Sequence, residues 1–393
     1  MKISKSILPL IVIAQFCCTS LWFAGNAVMP QLLVQFDLFP GALGHLTSAV
    51  QIGFIAGTLL FAVLSFADRF SPSRVFFVSA LLGAGFNLAV IWEGHSFMSL
   101  ISCRVMTGVF LAGIYPVGMK IAADYYQKGL GKSLGFLVGA LVIGTAFPHL
   151  LSDLTTGMVW ESVLILTSVI AVFGGVLIFC FVPDGPYRQQ SQQLQLSAFW
   201  SVFKVRDFRI AALGYFGHMW ELYAFWAFVP VMLSLYEQFH PDTTFNIALL
   251  SFLIIGVGSL SCVCAGYLSQ RFGAQRIASL ALAISGSCCL LSPWMFGLEN
   301  EVLFICFLLV WGLAVIADSP LLSSLVAQQA PAAIKGTALT IVNCIGFAIT
   351  IVSIQLLNGL NLNTLSTNIY LVLALGPVLG LVVLWLNSKS VLS

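Results

Sequence analysis

Twelve long apolar runs, separated by short polar breaks, decide what this chain can fold into. An α-helix needs roughly 20 apolar residues to cross a hydrocarbon core about 30 Å thick, and each run is near that length. The runs are continuous rather than alternating, and lipid offers no partner to unpaired backbone groups, so we expect helices. The predicted spans, numbered 1 to 12, are 7–32, 43–66, 75–92, 97–123, 131–151, 159–182, 210–235, 246–268, 277–297, 302–326, 336–357 and 368–387.

Composition agrees with this prediction. Apolar residues make up 60% and charged residues 8% of the 393 residues, whereas a soluble domain carries about 25% charged residues. The longest break contains prolines, a glycine and a glutamine-rich stretch, which are typical of flexible connectors. We therefore predict an all-α membrane protein with an N-terminal half at 1–182, a cytoplasmic linker at 183–209 and a C-terminal half at 210–393.

The positions of the basic residues predict the orientation of the chain. If the N-terminus is cytoplasmic, fifteen of the 16 Lys and Arg residues fall in cytoplasmic segments, and the remaining one, Arg104, lies within span 4. Short cytoplasmic loops are known to carry the excess of Lys and Arg. Both termini are therefore expected in the cytoplasm, and the short loops suit a bacterial inner membrane.

The second half repeats features of the first at an offset near 200 residues. The loops after spans 2 and 8 share an Arg-Phe pair, and spans 4 and 10 share a glycine and a proline at the same spacing. A proline is also expected to end the core of spans 1 and 7. The matching positions are Arg69 and Arg271, Gly108 and Gly312, Pro116 and Pro320, and Pro30 and Pro230. Two parallel six-helix repeats are an established transporter design.

Two short motifs give the chain a family resemblance. The loop after span 2 keeps the charged residues of a common transporter motif, and span 4 carries an arginine four residues before a glycine. These residues are Asp68, Arg69, Arg74, Arg104 and Gly108. With these motifs, the chain resembles the major facilitator superfamily over its whole length. The loop motif has Leu64 and Ser71 at its two glycine positions.

The resemblance implies twelve transmembrane helices in two pseudo-repeated six-helix bundles. It also implies that spans 1, 4, 7 and 10 line a central cavity. The cytoplasmic residues that it assigns to closing the inner side are Asp68, Arg69, Arg74 and, by the repeat, Arg271. Antiporters of the family have Gly-Pro in span 5 where this chain has Pro148 and His149, which disfavours drug efflux.

Charged side chains inside the spans point to a function, because each costs roughly 3 kcal/mol to insert. Glu221 and His218 lie three residues apart on one face of span 7. Burial favours a protonated carboxyl group, and histidine titrates near neutrality, so we predict a proton site. The alternative for Glu221 is a hydrogen bond from a Tyr or Trp that fixes the helix. Asp318 is expected to cap the helix broken by Pro320, to pair with a cation or to line a gate.

The other candidate residues are predicted to bind substrate. Arg104 either holds an anionic substrate group through paired hydrogen bonds or forms a structural ion pair in the N-terminal half. Spacings of four, three and four place Gln15, Thr19, Trp22 and Asn26 on one face of a continuous helix. The predicted substrate site contains Gln15, Trp22, Asn26, Arg104, Tyr223 and Trp226, beside the proton-coupling residues Glu221, His218 and Asp318.

These residues predict an alternating-access secondary transporter, a proton-coupled symporter for a small organic solute such as an organic anion. The chain has no complete Gly-x-x-x-x-Gly-Lys-Ser/Thr phosphate-binding loop and no metal-ligand spacing, so we expect no enzyme activity, no cofactor and no metal. The expected partners are the solute, protons and the lipid bilayer, without nucleic acid, and the expected state is a monomer. The alternatives are a proton-driven efflux antiporter for amphipathic compounds and a non-transporting receptor on the same fold.

Overall fold

The computed structural model describes residues 6–126, 130–188, 199–331, 334–363 and 366–390. Every regular element in this part of the chain is a helix. Among the described residues, eleven helices are long and apolar enough to cross a membrane, and the first predicted span is broken into shorter pieces. The predicted all-α membrane fold is confirmed. The chain divides into two compact units, Met1–Leu194 and Gln195–Ser393.

The first unit contains spans 1 to 6. Span 1 consists of Ile7–Thr19, Ala24–Ala27 and Met29–Gln35, span 2 is Ala42–Val63, span 3 is Pro72–Ala89, span 4 is Phe97–Leu111 with Tyr115–Tyr125, span 5 is Leu130–Leu154, and span 6 is Glu161–Phe181. A short helix, Phe66–Arg69, lies in the loop between spans 2 and 3.

The second unit contains spans 7 to 12, preceded by a short helix at Phe199–Val202. Span 7 is Arg206–Phe239, span 8 is Ile247–Gly256 with Gly258–Phe272, span 9 is Ala274–Phe296, span 10 is Glu301–Ala317 with Ser319–Gln329, span 11 is Lys335–Asn363, and span 12 is the 3-10 helix Thr367–Ala374 with Leu375–Ser390. These bounds lie within several residues of the predicted ones.

Spans 4 and 10 are broken at matching positions of the repeat. Span 4 is interrupted at 112–114 and span 10 at Asp318. In both spans a proline is the second residue of the following helix, Pro116 in one and Pro320 in the other, at an offset of 204 (320 − 116). Proline has no N–H to donate and clashes with a preceding turn, so it suits the first turn of a new helix.

Glycines at the same offset bring helices close together within each unit. A Cβ atom on Gly108 would collide with the carbonyl oxygen of Val50 in span 2, and one on Gly312 would collide with that of Ile254 in span 8. The offset is again 204 for both members of the contact (312 − 108 and 254 − 50). Small residues at these positions let the two backbones approach, as is common between membrane helices.

The expectation that Pro30 and Pro230 end their helices is wrong. Pro30 begins the helix Met29–Gln35, and Pro230 lies inside span 7. Span 1 instead breaks at 20–23, where the chain has no proline. Neighbouring helices can satisfy the backbone groups that a proline frees, so its position alone does not set the end of a membrane helix.

The start of the predicted linker is ordered, so a flexible connector is wrong for 183–188. We call residues 182–188 the strap, because four side-chain hydrogen bonds join them to other parts of the first unit. The bonds run from Ser71 to Asp184 Oδ1 (2.6 Å), from Ser73 to the carbonyl of Val182 (2.6 Å), from Tyr125 to the carbonyl of Pro183 (2.5 Å) and from Arg188 to the carbonyl of Phe70 (2.8 Å). Residues 189–198 of the predicted linker lie outside the described residues.

Candidate functional site

Glu221 is held by donors from two other spans of the second unit. Its side chain is 1% exposed. Oε1 accepts a hydrogen bond from Nε1 of Trp311 in span 10 at 2.6 Å, and another from Sγ of Cys289 in span 9 at 3.2 Å. The predicted alternative, a Trp that fixes the helix, is therefore present. It is compatible with a proton site, because Oε1 accepts these bonds in both the ionised and the protonated carboxyl group.

His218 lies one turn before Glu221 but faces Asp318. Nδ1 of His218 is 2.8 Å from Oδ1 of Asp318, and both residues are buried. The two atoms are within ion-pair distance without the alignment of a hydrogen bond, and Nε2 of His218 has no hydrogen-bond partner among the described residues. Asp318 stands at the N-terminus of Ser319–Gln329 without capping it through its side chain. Of the roles expected for Asp318, its side chain does not cap the helix, and its contact with His218 corresponds to a pair with a cation when the imidazole is protonated.

Arg104 contacts the broken part of span 1. Nη2 donates to the carbonyl of Trp22 at 2.6 Å and to that of Leu21 at 3.4 Å, and Nη1 donates to Oδ1 of Asn87 at 3.1 Å. The break at 20–23 leaves these carbonyls without a regular helical partner. Arg104 is buried, and it forms no ion pair with a carboxylate in the part of the chain that the structure describes. The structural ion pair predicted for it is therefore absent there.

Asn87 extends this network to span 6. Its Nδ2 donates to Oγ1 of Thr167 at 3.2 Å, to Oγ of Ser168 at 3.1 Å and to the carbonyl of Leu164 at 3.3 Å. Spans 1, 3, 4 and 6 therefore meet in one buried polar network. Such a network stabilises the fold only when its members are satisfied, and each of these groups has a partner.

Trp22 lies within the break and Asn26 beyond it, and both contact span 2. Nδ2 of Asn26 donates to Oγ1 of Thr47 at 2.8 Å, and the ring of Trp22 lies 4.9 Å from that of Phe54. Gln51 lies between Thr47 and Phe54 on this helical face. It is fully buried, and neither atom of its amide has a hydrogen-bond partner among the described residues. An amide in this state is a candidate to bond a polar solute, since burial without a partner is costly.

The continuous polar face predicted for span 1 is wrong beyond Thr19, because the helix ends there. Gln15 lies in the first piece, where a Cβ on Gly118 of span 4 would collide with its Oε1. Its amide is buried and has no partner among the described residues. The structure therefore gives Gln15 different neighbours from those of Trp22 and Asn26.

Tyr223 and Trp226 belong to an aromatic cluster of the second unit. Their ring centroids are 5.3 Å apart in an edge-to-face arrangement, and Tyr223 also lies 5.3 Å from the ring of Phe347 in span 11. All three side chains are buried. Their aromatic faces are suited to contact with an apolar or aromatic solute.

A family model now places this architecture among known proteins. The model described as the Major Facilitator Superfamily matches residues 11–354. The chain belongs to the Major Facilitator Superfamily. It is a multi-pass membrane transporter of small solutes, and the family comprises transporters rather than enzymes.

Similar proteins agree with membership of the superfamily. The niacin transporter NiaP of Acinetobacter baylyi is 26% identical over 351 residues, covering 76% of each chain. The proton:xylose symporter XylE, solved with 6-bromo-6-deoxy-D-glucose, has a TM-score of 0.75 at 15% identity, covering 98% of this chain and 96% of the other. The human organic anion transporter MFSD10 has a TM-score of 0.76 at 16% identity, covering 98% and 100%. At these identities the two structures show a shared fold.

The superfamily loop after span 2 is contacted by the strap. Phe70 and Ser71 of this loop bond to Arg188 and Asp184. The predicted gating residues Arg69 and Arg74 are exposed, and the side chain of Asp68 lies outside the described residues. Arg271 is exposed in the last turn of span 8, 5.2 Å from the ring centroid of Phe272.

Sequence reasoning missed four residues of this superfamily member, namely Trp311, Cys289, Gln51 and Asn87. Trp311 and Cys289 are uncharged residues of apolar runs, and nothing in their spacing links them to Glu221. Gln51 and Asn87 are isolated amides within spans, a signal that could have found them.

Proposed function

We propose that this protein is an alternating-access secondary transporter that couples proton movement to the movement of a small organic solute, with organic anions as the substrate class. The observation that carries the proposal is the buried contact of His218 with Asp318, 2.8 Å apart. Glu221, a third titratable group, is equally buried one helical turn from His218. Ionisable groups within membrane spans are costly and commonly mark proton relays.

The contact provides a place to load and release a proton. A proton accepted at Nε2 of His218 creates an imidazolium beside the Asp318 carboxylate, and the two charges compensate each other in a buried setting. One proton moving down 100 mV provides about 2.3 kcal/mol for solute accumulation.

Arg104 supports an anionic solute. Its buried guanidinium is surrounded by carbonyl and amide oxygens and has no carboxylate partner among the described residues. Neutral acceptors leave a net positive charge, which attracts an anion. The similarity to a niacin transporter adds support, since niacin is an aromatic carboxylic acid. Trp22, Asn26, Gln15, Tyr223 and Trp226 remain proposed substrate contacts, and Gln51 joins them.

The sidedness belongs to the same proposal. We place both termini in the cytoplasm of a bacterial cell, in the plasma membrane, with the protein acting as a monomer. Asp68, Arg69, Arg74 and Arg271 then lie in cytoplasmic loops, where they are proposed to favour the state whose inner side is closed.

Uptake into liposomes that carry an inside-alkaline pH gradient tests the proposal. Labelled nicotinate is the first probe, followed by other small carboxylates, with uncharged nicotinamide as the comparison. We expect the wild type to accumulate a carboxylate until a protonophore collapses the gradient. Glu221→Gln and Asp318→Asn should lose this accumulation and keep exchange of labelled for unlabelled solute. The matched control is Glu93→Gln, at an exposed position between spans 3 and 4.

Two results would contradict the proposal. If both carboxyl variants accumulate the solute like the wild type, these residues do not couple transport to protons. If the wild type moves no carboxylate under any gradient, the anionic substrate class is wrong.

A further inference from the structure

A groove in the second unit lies between spans 9 and 10. Its volume is about 520 Å³. The lining side chains are almost all apolar, and they include Ile284, Ser287, Cys288, Leu291, Leu303 and Phe307. No residue of the proposed substrate or proton sites lines it, so the groove requires a separate explanation.

The groove opens toward the membrane. Leu291, Leu303 and Val310 on its rim are 48%, 47% and 47% exposed, and all three lie within predicted spans. Large apolar side chains exposed at this depth face hydrocarbon rather than water. The lining of span 9 extends from Ala283 to Met295, which at 1.5 Å per residue is roughly 18 Å. That length is close to the depth of one leaflet, about half of the 30 Å hydrocarbon core.

We propose that this groove binds one acyl chain of a membrane phospholipid with a zwitterionic ethanolamine headgroup. Its length suits a chain that runs from the headgroup toward the bilayer centre. The loop at the headgroup end of the groove carries exposed Glu299 and Glu301, and residues 277–334 contain no Lys or Arg. Acidic side chains there attract the ammonium of ethanolamine and disfavour a lipid with a net negative charge.

Residues 236–242, which pack against that loop, are also acidic. Tyr236 donates to the carbonyl of Leu298 at 2.7 Å, and a ring nitrogen of His240 lies 2.9 Å from the carbonyl of Phe296. Glu237 and Asp242 flank His240 in sequence. His240 is the one titratable base in this set. Asp242 and Glu299 lie in the two loops, and Glu237 and Glu301 lie at the ends of the adjoining helices. The local balance therefore favours an ammonium group over a phosphate monoester or glycerol headgroup.

The groove shares its walls with the residues that hold Glu221. Cys288 lines the groove and precedes Cys289, which donates to Glu221. Phe307 also lines it, and its ring lies 5.6 Å from that of Trp311, the second donor. A bound chain would contact both spans beside the two donors to Glu221. Lipid occupancy is thus expected to change the transport rate, a consequence that rests on the proposed function, whereas lipid binding itself does not.

Photo-crosslinking tests the binding. Wild type in nanodiscs would be labelled with a phosphatidylethanolamine that carries a diazirine on its acyl chain, and the labelled peptides identified by mass spectrometry. Crosslinks are expected in residues 283–310. Ser287→Trp fills the groove from an exposed position and should lower this labelling about tenfold, and Ser287→Leu should lower it less. Leu260→Trp, on the exposed surface of span 8, is the matched control and should leave it unchanged.

Displacement of the probe by unlabelled lipids tests the headgroup, and a transport assay separates lipid binding from the proposed function. Unlabelled phosphatidylethanolamine should displace the probe better than phosphatidylglycerol with the same acyl chains, and equal displacement overturns the headgroup assignment. Equal labelling of wild type, Ser287→Trp and Leu260→Trp overturns the groove as a lipid site. If the groove is labelled as expected and no tested lipid supports any solute transport, the proposed function fails while the lipid site stands.

Discussion

Glu221 and His218 share one helix but bond to different helices. Glu221 reaches Trp311 and Cys289, and His218 reaches Asp318. In sequence, these partners lie 90, 68 and 100 (318 − 218) residues away. The sequence could identify charged residues within apolar runs, because the free energy of inserting a charge into the membrane follows from the type of residue and its place in the run. It could not identify their partners, because those are fixed by how the helices pack.

The bond from Trp311 is predicted to stabilise the second unit. Trp311→Phe keeps an aromatic ring but removes the N–H that Glu221 accepts at 2.6 Å. A buried acceptor that loses its donor costs about 1–3 kcal/mol. We expect a lower melting temperature in detergent. Trp294→Phe, at a 65% exposed position, is the matched control and should melt like the wild type. Equal melting of all three proteins would show that the bond contributes no stability.

Arg104→Lys tests whether Arg104 positions span 1, binds the solute, or does both. Lysine keeps the charge but cannot serve the carbonyls of Leu21 and Trp22 together with Asn87. We expect a loss of about 1–3 kcal/mol of unfolding free energy, because buried acceptors lose a donor. Arg271→Lys, at an exposed position in the last turn of span 8, should change it by less than about 0.5 kcal/mol. Carboxylate binding is measured in parallel. A Lys variant with full affinity would show that Arg104 positions span 1 without binding the solute.

At the scale of helices, the break expected at Pro320 in span 10 is present, whereas the helix ends expected at Pro30 and Pro230 in spans 1 and 7 are not. Pro116 and Pro320 both begin a second helix, as their ring geometry favours. The break in span 1 has no such residue, and Arg104 bonds to its carbonyls from another span. A break stabilised by a partner 82 residues away leaves no local signal in the sequence.

The two glycine contacts are predicted to be equivalent in energy. Gly108→Ala and Gly312→Ala each place a methyl group against a backbone carbonyl, of Val50 and of Ile254. Backbone cannot move aside as a flexible side chain can, so each change should destabilise its unit by about 1–3 kcal/mol. Gly266→Ala is the control, since its methyl group meets nothing within 4 Å. Thermal unfolding of the three variants checks this. If Gly108→Ala melts like Gly266→Ala, the close approach of spans 2 and 4 is wrong.

At the scale of the whole chain, the apolar runs predicted the number, order and approximate ends of the spans. They did so because the thickness of a bilayer fixes the length of a helix that crosses it. The strap was missed, because Pro and Gly in 183–188 are typical of connectors whether or not side chains bind them. The proposed solute contacts were predicted only as residue types, since their neighbours depend on the break in span 1.

The orientation is testable by cysteine labelling in a variant whose native cysteines have been replaced. A cysteine introduced at Thr243, between spans 7 and 8, should react with a membrane-impermeant maleimide from outside intact cells. One introduced at residue 191 should react only after the cells are opened. The reason is that the basic residues concentrate in the loops predicted on the same side of the membrane as residue 191, and such loops are cytoplasmic. Reversed labelling of the two sites would place both termini outside.

The strap also determines where this polypeptide can be divided. The residues up to Arg188 contact the first unit, although the sequence pattern assigns 183–188 to the connector. A gene split or a domain fusion that follows the apolar pattern would cut after residue 182 and remove these contacts. Cutting after Arg188 keeps them with their own half, so two separately expressed halves divided there should have the better chance of assembling into a working carrier.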